Sequence, residues 1–588
     1  VSSHIDNARK KLQKTITREK EIYPTLTSAD KIVADQVRQY HDKRSDELSH
    51  LQGSPYFVRC DVVYDQEKEI HSLYFGKFGF QDESIYSWIA PASSMRFEDP
   101  GAIGYRLPDG RLQKAHLLRK DQYMIINGQI KFLSTESIEK SRQLIFQEYF
   151  SNRKASFALP EIVAQMEKAQ DQVIRAHHVG PFLISGPAGS GKTTLALHRV
   201  AYLTQSPDLS EKYPSRSIIV FVQDNGTKKY FSELLPELGI NDVLITTFSE
   251  WAFSILKIKA KYSPRVGNNE EEMDLYELAK LSALKNHRPK KGDGFPLLEK
   301  IYAEYFDATQ KKIFQKQKQE KIFDKIDLTL LLKNRLEKNK KLEIVKEYLV
   351  RLKDGTIAKK KSKTTMQYSL AVIDEFQNYL PAQLKIINSC VDQKNRSTLY
   401  VGDMAQQVYF GTLKKWDEID ETMDEARQVI LQKVYRNTKN ILAFIQKLGY
   451  QIEVSEGLKE GSDVSEIITA SLQEEIAYIQ EKLDGSNFQS ASIIAKENSY
   501  LEEFKNHFSG EEKIHLMTMK EAQGVEFDIV FLVGIDAKSF TANYTAEVPM
   551  EIIQEKKKIN EDLLYVALTR AISELHILGR SKLENIKK

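Results

Sequence analysis

Apolar positions along this chain change period twice, and each change marks a different kind of element. Over residues 4–51 they recur every three to four places, with Ile5, Ala8, Leu12 and Ile16 among them, the spacing of one buried helical face. Pro24 interrupts the run, and Ser28 is a candidate cap for a second helix ending near Leu51. Residues 1–52 are therefore predicted to form a helical arm, two helices of about 30 Å each, paired as an antiparallel coiled-coil hairpin or packed against the body. From Gly53 the period shortens to that of strands. Runs at Tyr56–Val63, Leu73–Phe80, Ile85–Ile89 and Gln122–Ile126 are β-rich, and Asp109-Gly110 and Asn127-Gly128 lie between alternating runs as hairpin turns. These predict a small all-β module over 53–136.

After a helical stretch at about 137–180, short and wholly apolar strands alternate with helices. They are Pro181–Ser185, Ser217–Val222, Ser369–Ile373, Thr398–Val401 and Ile529–Val533. A strand apolar on both faces belongs inside a parallel sheet covered by helices. The expected fold class is α/β: one parallel-sheet domain from 137–250 and 367–430, a second over 431–588, and a helical insert, 251–366, within the first. A length of 588 residues fits several cores better than one.

Charge changes this picture only when taken by segment. The whole chain nearly balances, 85 Lys+Arg against 82 Asp+Glu, yet 251–366 alone hold 28 basic and 16 acidic residues. That insert is either a solvated lysine-rich helical face or a surface for an anionic partner. No apolar run approaches the roughly 18 residues of a membrane span, and the start Val1-Ser-Ser-His-Ile is polar, so a cytoplasmic protein is expected. Cys60 and Cys390 are the only cysteines, far apart and without metal-ligand spacing, and both are expected to be small core residues.

The strongest chemical signal is Gly186-Pro-Ala-Gly189-Ser190-Gly191-Lys192-Thr193, which follows an apolar strand and opens a helix at Thr194. Glycines let the backbone curl so that its N–H groups face phosphate, and the helix start adds positive dipole. Lys192 would bring a cation to the β- and γ-phosphates, and Thr193 a hydroxyl to Mg²⁺. The second signal is Asp374-Glu375 at the end of the apolar run Ala371-Val-Ile. Asp374 is a candidate ligand for the same hard cation, and Glu375 for the group that activates water. Together they predict hydrolysis of ATP with Mg²⁺.

With these motifs the chain resembles the UvrD/Rep-type superfamily 1 helicases, which have two RecA-like domains. The resemblance extends to Gln170, Asp374-Glu375-Phe-Gln377, Gly402-Asp403-Met-Ala-Gln406, Tyr435-Arg436-Asn-Thr, the run Thr518 to Phe527, and Val566-Ala-Leu-Thr569-Arg570-Ala571. It implies that Gln170 reads the adenine edge, Tyr435 stacks on the base, Glu526 contacts ribose, and Gln377 senses water or the γ-phosphate. It also implies that Gln406 links nucleotide state to the domain interface, and that Arg436 and Arg570 reach the γ-phosphate from the second domain. Two features depart from processive members. Only 82 residues separate Arg436 from Thr518, too few for a large accessory domain, and Gly411 stands where a DNA-stacking tryptophan falls, with Phe410 the candidate substitute.

A closer resemblance is to the HelD-like branch. It rests on Ser54-Pro-Tyr-Phe57, Leu73-Tyr-Phe-Gly76, Ser87-Trp88-Ile89-Ala90-Pro91, Ala196-Leu-His-Arg199, Leu235-Pro-Glu-Leu-Gly239 and Thr246-Thr-Phe248. That branch's Asp-Trp-Arg-Ala-Pro is altered here at two places, Ser87 and Ile89. The resemblance implies a monomer that binds core RNA polymerase through residues 1–52 and 251–366 and uses ATP to release it, with nucleic acid a further partner. The alternative is a DNA translocase or helicase acting in repair.

Overall fold

A computed structural model of the protein describes residues 2–586 apart from 26–30, 66, 108, 110, 138–167, 352–356, 432–433, 435–436, 453, 455–457, 485–487, 489, 509–510, 512 and 543. These residues form two compact units: Val1–Ala176 with Leu197–Ser215 and Glu233–Asn241, and His177–Ala196 with Arg216–Ser232 and Asp242–Lys588. Among the described residues no helix is long and apolar enough to cross a membrane.

In the first unit the helices Ser2–Thr25 and Lys31–Gly53 pair, and Pro24 falls in the last turn of the first of them. Arg9 donates to the Gln52 carbonyl at 2.8 Å and His41 meets Glu19, so the pairing is antiparallel. The predicted cap Ser28 lies outside the described residues. The paired helices also pack on the β module. Ile5, Ala8, Leu12 and Ile16, with Leu48 and Leu51, share an apolar cluster with Tyr56, Tyr74, Phe78 and Phe80 of the β module. That module has six strands. Val58–Tyr64 lies between His71–Gly76 and Leu112–Ile126, Ile85–Ser87 extends one edge, and Gly101–Arg106 and Gln129–Ser137 both pair with the long strand. Asn127 and Gly128 turn its last hairpin with φ of 49° and 77°, as the Asn-Gly signal requires, while Gly110 of the other expected turn is outside the described residues. Trp88 is buried, and its carbonyl and that of Ile89 accept from Arg175 at 3.0 and 3.2 Å. In this unit the Ser87–Pro91 motif is a structural joint.

The second unit holds two parallel sheets. The first has the order Gln428–Ile430, Pro181–Ser185, Thr398–Gly402, Leu370–Asp374, Ile218–Val222, Leu244–Thr247. The second has the order Ser465–Ile468, Ala571–Gly579, Phe527–Ile535, Ala491–Ala495, Ile514–Thr518. Every pairing in both is parallel. Both lobes are built as the apolar strand pattern predicts, and the protein is α/β with two RecA-like sheets.

The insert differs from its expected form in two ways. The helix Phe248–Leu256, opened by a capping box between Thr247 and Glu250, runs through the expected boundary at 251. Its Trp251 and Ile255, with Leu328 and Leu331 of the helix Lys325–Asn339, share one core with Leu183, Ile219 and Phe221 of the sheet, so the insert grows out of the first lobe's own interior. The helical structure expected to 366 also stops early, with the helix Lys325–Asn339. It gives way at Lys340, φ 62°, to an antiparallel β ribbon of Glu343–Arg351 and Ile357–Thr365. Ile344, Val345, Tyr348 and Val350 are residues that favour extended chain, and the lysines of 359–363 lie on the opposing strand.

At the centre of the insert Lys280 is fully buried. Its ammonium meets Asp324 at 2.6 Å, Asp327 at 2.9 Å and Gln317 at 3.1 Å, with the Tyr276 ring 4.4 Å away. Burial alone would lower its pKa, but Asp324 and Asp327 outweigh it and hold the lysine above its ordinary value.

In the second lobe Glu475 is 2% exposed and accepts from Thr469, Tyr500 and the Gly534 amide, at 3.1, 3.2 and 3.3 Å. Burial pushes its carboxyl up to about 7. A carboxyl raised above its unfolded value favours folding most below the unfolded pKa of about 4.3, and that contribution is lost as pH rises toward 7. Denaturant unfolding at pH 5 and pH 8 should show wild type losing up to about 3 kcal/mol more than Glu475→Gln. Equal pH dependence in the two proteins would count against Glu475 as the source.

Candidate nucleotide site

Register in the first sheet brings the chemistry together. Gly402 lies beside Ser185 and Val401 beside Asp374, so the loops leaving these three strands emerge side by side at their carboxyl ends, where parallel sheets bind ligands. The loop after Ser185 carries Gly186, Gly189 and Gly191 at φ of 151°, 72° and 84°, a left-handed series that curls the backbone. At Gly186 a Cβ would meet the Leu431 carbonyl at 2.4 Å. Ser190 is buried, its hydroxyl on the Pro187 carbonyl at 2.8 Å, and Lys192 donates to the same carbonyl at 2.9 Å. Thr193 and Thr194 follow in the first turn of the helix Lys192–Gln205.

The Thr193 hydroxyl donates to Asp374 at 3.1 Å, joining the two motifs 181 residues apart. Burial first, and then the neighbouring Glu375, push the Asp374 carboxyl up to about 8. Glu375 adopts φ 50°, a left-handed conformation uncommon outside glycine that costs on the order of 1–3 kcal/mol and clusters at functional sites. The Gln377 amide donates to the Glu375 carboxylate at 2.6 Å and accepts from the Asp403 N–H at 3.1 Å. Gln406 donates to Asp403 at 2.8 Å, so in this arrangement its amide is held within the Gly402–Gln406 loop itself. Two residues without an assigned role in the sequence join the site from the second lobe. Gln523 accepts from Asn378 at 2.7 Å, and Asp562 accepts from the Gln407 N–H at 3.0 Å. A glutamine and an aspartate on a helix or loop carry no mark in sequence that names a partner 145 or 155 residues away.

The remaining candidates are distributed as follows. Gln170 lies on the helix Lys168–Arg175, and Tyr435 and Arg436 are outside the described residues. Arg570 is buried and donates to the Val566 and Val525 carbonyls at 2.8 and 3.3 Å and to the Thr569 hydroxyl at 3.0 Å, all in its own lobe. Glu526 is half-buried just before the strand Phe527–Ile535. Phe410 does not stand in for the missing tryptophan. It is buried in the second lobe's core cluster with Val434 and Ile441. Gly411 sits at φ 64°, a conformation that residues with a side chain rarely adopt, and a Cβ there would press on the Leu281 side chain of the insert at 2.9 Å. The half-buried aromatic of that loop is Tyr409, with the Lys325 ammonium 3.9 Å and the Lys520 ammonium 5.5 Å from its ring centre.

The insert also grips the second lobe. Glu270 on the helix Glu270–Lys285 pairs with Lys556 at 2.6 Å and Lys496 at 3.1 Å, and Asp274 pairs with Lys556 at 2.7 Å and accepts from Tyr544 at 3.0 Å. Lys556 belongs to the helix Met550–Leu568, which accepts the Gly411 N–H through Glu555 at 3.1 Å and ends just before Arg570.

The residues present fit a magnesium-bound nucleoside triphosphate. The curled loop offers backbone N–H groups and a lysine to phosphate, and Thr193 with Asp374 offers two hard oxygens to a cation that keeps most of its water. Among the described residues no cluster of three or more His, Cys, Asp or Glu suits a structural metal.

Three sequence families match. Residues 1–144 match the DNA helicase IV HelD N-terminal domain, 166–410 the UvrD/REP helicase N-terminal domain, and 312–582 the UvrD-like helicase C-terminal domain. A probable DNA helicase II homolog of Mycoplasma capricolum is 25% identical over 359 residues, covering 56% of this chain and 48% of that protein. The ATP-dependent DNA helicase PcrA of Bacillus subtilis is 24% identical over 303 residues, 48% of this chain and 39% of that one. The chain thus spans less than half the length of these relatives. A solved arterivirus nonstructural protein 10 helicase with DNA shares 11% identity over 71% of this chain and 65% of its own, at a TM-score of 0.27, too slight a likeness to bear on the fold. Matched along nearly its whole length by the HelD N-terminal domain and by both UvrD/Rep halves, the chain belongs to the UvrD/Rep superfamily 1 helicases and is of the HelD-like kind.

Proposed function

We propose that the protein is an ATP-hydrolysing motor that binds core RNA polymerase and helps dissociate stalled or post-termination complexes. The hydrolytic half of this reading is supported by the meeting of Thr193, Asp374, Glu375 and Gln377 beside the glycine-rich loop. Lys192 leaves the Pro187 carbonyl for the β- and γ-phosphates. Glu375, oriented by Gln377, takes the proton of the attacking water. Thr193 and Asp374 would hold magnesium, which would supply positive charge beside the phosphates. Gln170 and Tyr435 hold adenine, and Glu526 holds ribose. Arg436 and Arg570 supply positive charge as the phosphoryl group moves, which requires Arg570 to swing off its own lobe's carbonyls when the lobes close on ATP.

The observation that carries the polymerase half is the match of residues 1–144 to the HelD N-terminal domain, in a chain with Gly411 where a strand-stacking tryptophan would fall. A second reading, a DNA translocase or helicase, is favoured by the half-buried Tyr409 beside the half-buried Lys520, an aromatic ring and a cation of the sort that holds a single strand. The test is one purified sample carried through two assays. Comigration with core RNA polymerase on gel filtration, together with ATP turnover that single-stranded DNA barely stimulates, is the expected result. Efficient unwinding of a tailed duplex without polymerase binding would transfer the assignment to the second reading. Removal of 251–366 is unsuitable as a binding test, because Trp251 and Leu328 belong to the first lobe's core. Charge reversal of the exposed ribbon residues Lys361 and Lys363 probes the insert without that loss.

A further inference from the structure

We infer that Gln523 is a positioning residue through which the second lobe sets the orientation of the Glu375 carboxylate; the inference rests on the nucleotide reading above. Six residues form a closed circuit through side-chain and backbone groups. Gln377 donates to Glu375 at 2.6 Å and accepts from the Asp403 amide at 3.1 Å, and Gln406 donates to Asp403 at 2.8 Å. The Gln406 carbonyl accepts from the Gln523 amide at 3.4 Å, the Gln523 oxygen accepts from Asn378 at 2.7 Å, and the Asn378 N–H returns to the Glu375 carbonyl at 3.0 Å. Five members come from two neighbouring loops of the first lobe. Gln523 alone comes from the second, from the loop after the strand Ile514–Thr518 that leads to Glu526.

The chemistry of this contact is directional. Both ends of the Gln523 amide are in use, and reversing it would set NH₂ against NH₂ and oxygen against oxygen, so one orientation satisfies the circuit. Asn378 is 4% exposed and its own side-chain oxygen has no hydrogen-bond partner, so the bond to Gln523 is what orients its amide. Asn378 and Gln377 sit in the single helical turn Phe376–Asn378 that follows Glu375, whose backbone is already in the left-handed region. Withdrawal of Gln523 frees that turn to rotate, and the carboxylate rotates with it. Approach of the second lobe thus aims the base before any arginine arrives.

A role confined to holding the lobes together predicts a loss of ATP affinity; a positioning role predicts a loss of turnover. Gln523→Ala and Asn378→Ala should each lower kcat on the order of tenfold to a hundredfold, with KM for ATP within about threefold, and the double variant should be no worse than either single one. Asn378→Asp should also be slow, because its carboxylate faces the Gln523 oxygen, and adding Gln523→Lys should restore it, since an ammonium donates to both the new carboxylate and the Gln406 carbonyl. Independent, additive losses, a loss confined to KM, or no rescue in the Asp–Lys pair would overturn the inference. Hydrogen exchange supplies a measurement that needs no turnover: Gln523→Ala should speed exchange at the Asp403 amide in the nucleotide-free protein, and unchanged exchange there would sink the circuit. Wild-type protein that neither bound nor hydrolysed ATP would instead refute the nucleotide reading, and the exchange result would still judge the circuit on its own.

Discussion

A Glu375→Gln variant should bind ATP about as tightly as the parent chain and hydrolyse it on the order of a hundredfold to ten-thousandfold more slowly. The substitution keeps the side chain's size and still offers an oxygen to Gln377, which sits 2.6 Å from the carboxylate. What it removes is the ability to accept a proton from water. Lys192→Ala should differ in kind, because an ammonium on the phosphates contributes to the bound ground state as well as to the transition state. Fluorescent-nucleotide titration with single-turnover hydrolysis separates the two variants. A Glu375→Gln protein with a near-normal chemical step would mean that another group receives the proton.

The largest effect on stability should come from Lys280→Met. Its ammonium is enclosed by Asp324, Asp327 and Gln317, with the Tyr302 hydroxyl donating to Asp327 at 2.6 Å and Gln317 to the same carboxylate at 2.5 Å. Removing the cation leaves two carboxylates together in the interior, a kind of change that costs about 3–5 kcal/mol. The cost should fall on the insert, visible as faster proteolysis between 257 and 342 and a lower unfolding temperature. Adding Asp324→Asn and Asp327→Asn to the same protein should recover much of the loss, since the uncompensated charge is then gone. If the single variant unfolded with the parent, the cluster would be an incidental contact and not the insert's keystone.

These two sites differ in how much of them the sequence discloses. The glycine-rich loop and the Asp374-Glu375 pair are contiguous runs whose residue types stand out together, and each lies at the end of an apolar strand. The parallel sheets are legible for a related reason: strands buried on both faces leave unbroken apolar runs. Lys280 is different. In sequence it is one more lysine on a charged helix, and only its fold neighbours, 44 and 47 residues away, turn a solvated face into a core. The same limit applies to Glu270, whose partner Lys556 lies 286 residues on, and to Gln523. Pairings at such separations leave no periodicity. The ribbon at 343–365 was hidden by its lysines, which read equally well as an exposed helix, and Phe410 was misleading because an aromatic beside a functional loop reads the same whether it faces solvent or core.

The helix Met550–Leu568 has 19 residues and so measures about 28 Å. Glu270 and Asp274 hold it near one end, and the chain leaves the other end directly into Thr569 and Arg570. A stiff rod pulled sideways along its length slides or tilts as one body. On the function proposed above, a body that displaced the insert while these ion pairs held would carry Arg570 with it, gearing engagement of a distant ligand to the nucleotide site through a single stiff shaft. Its clutch is ionic, and rising salt should slip it.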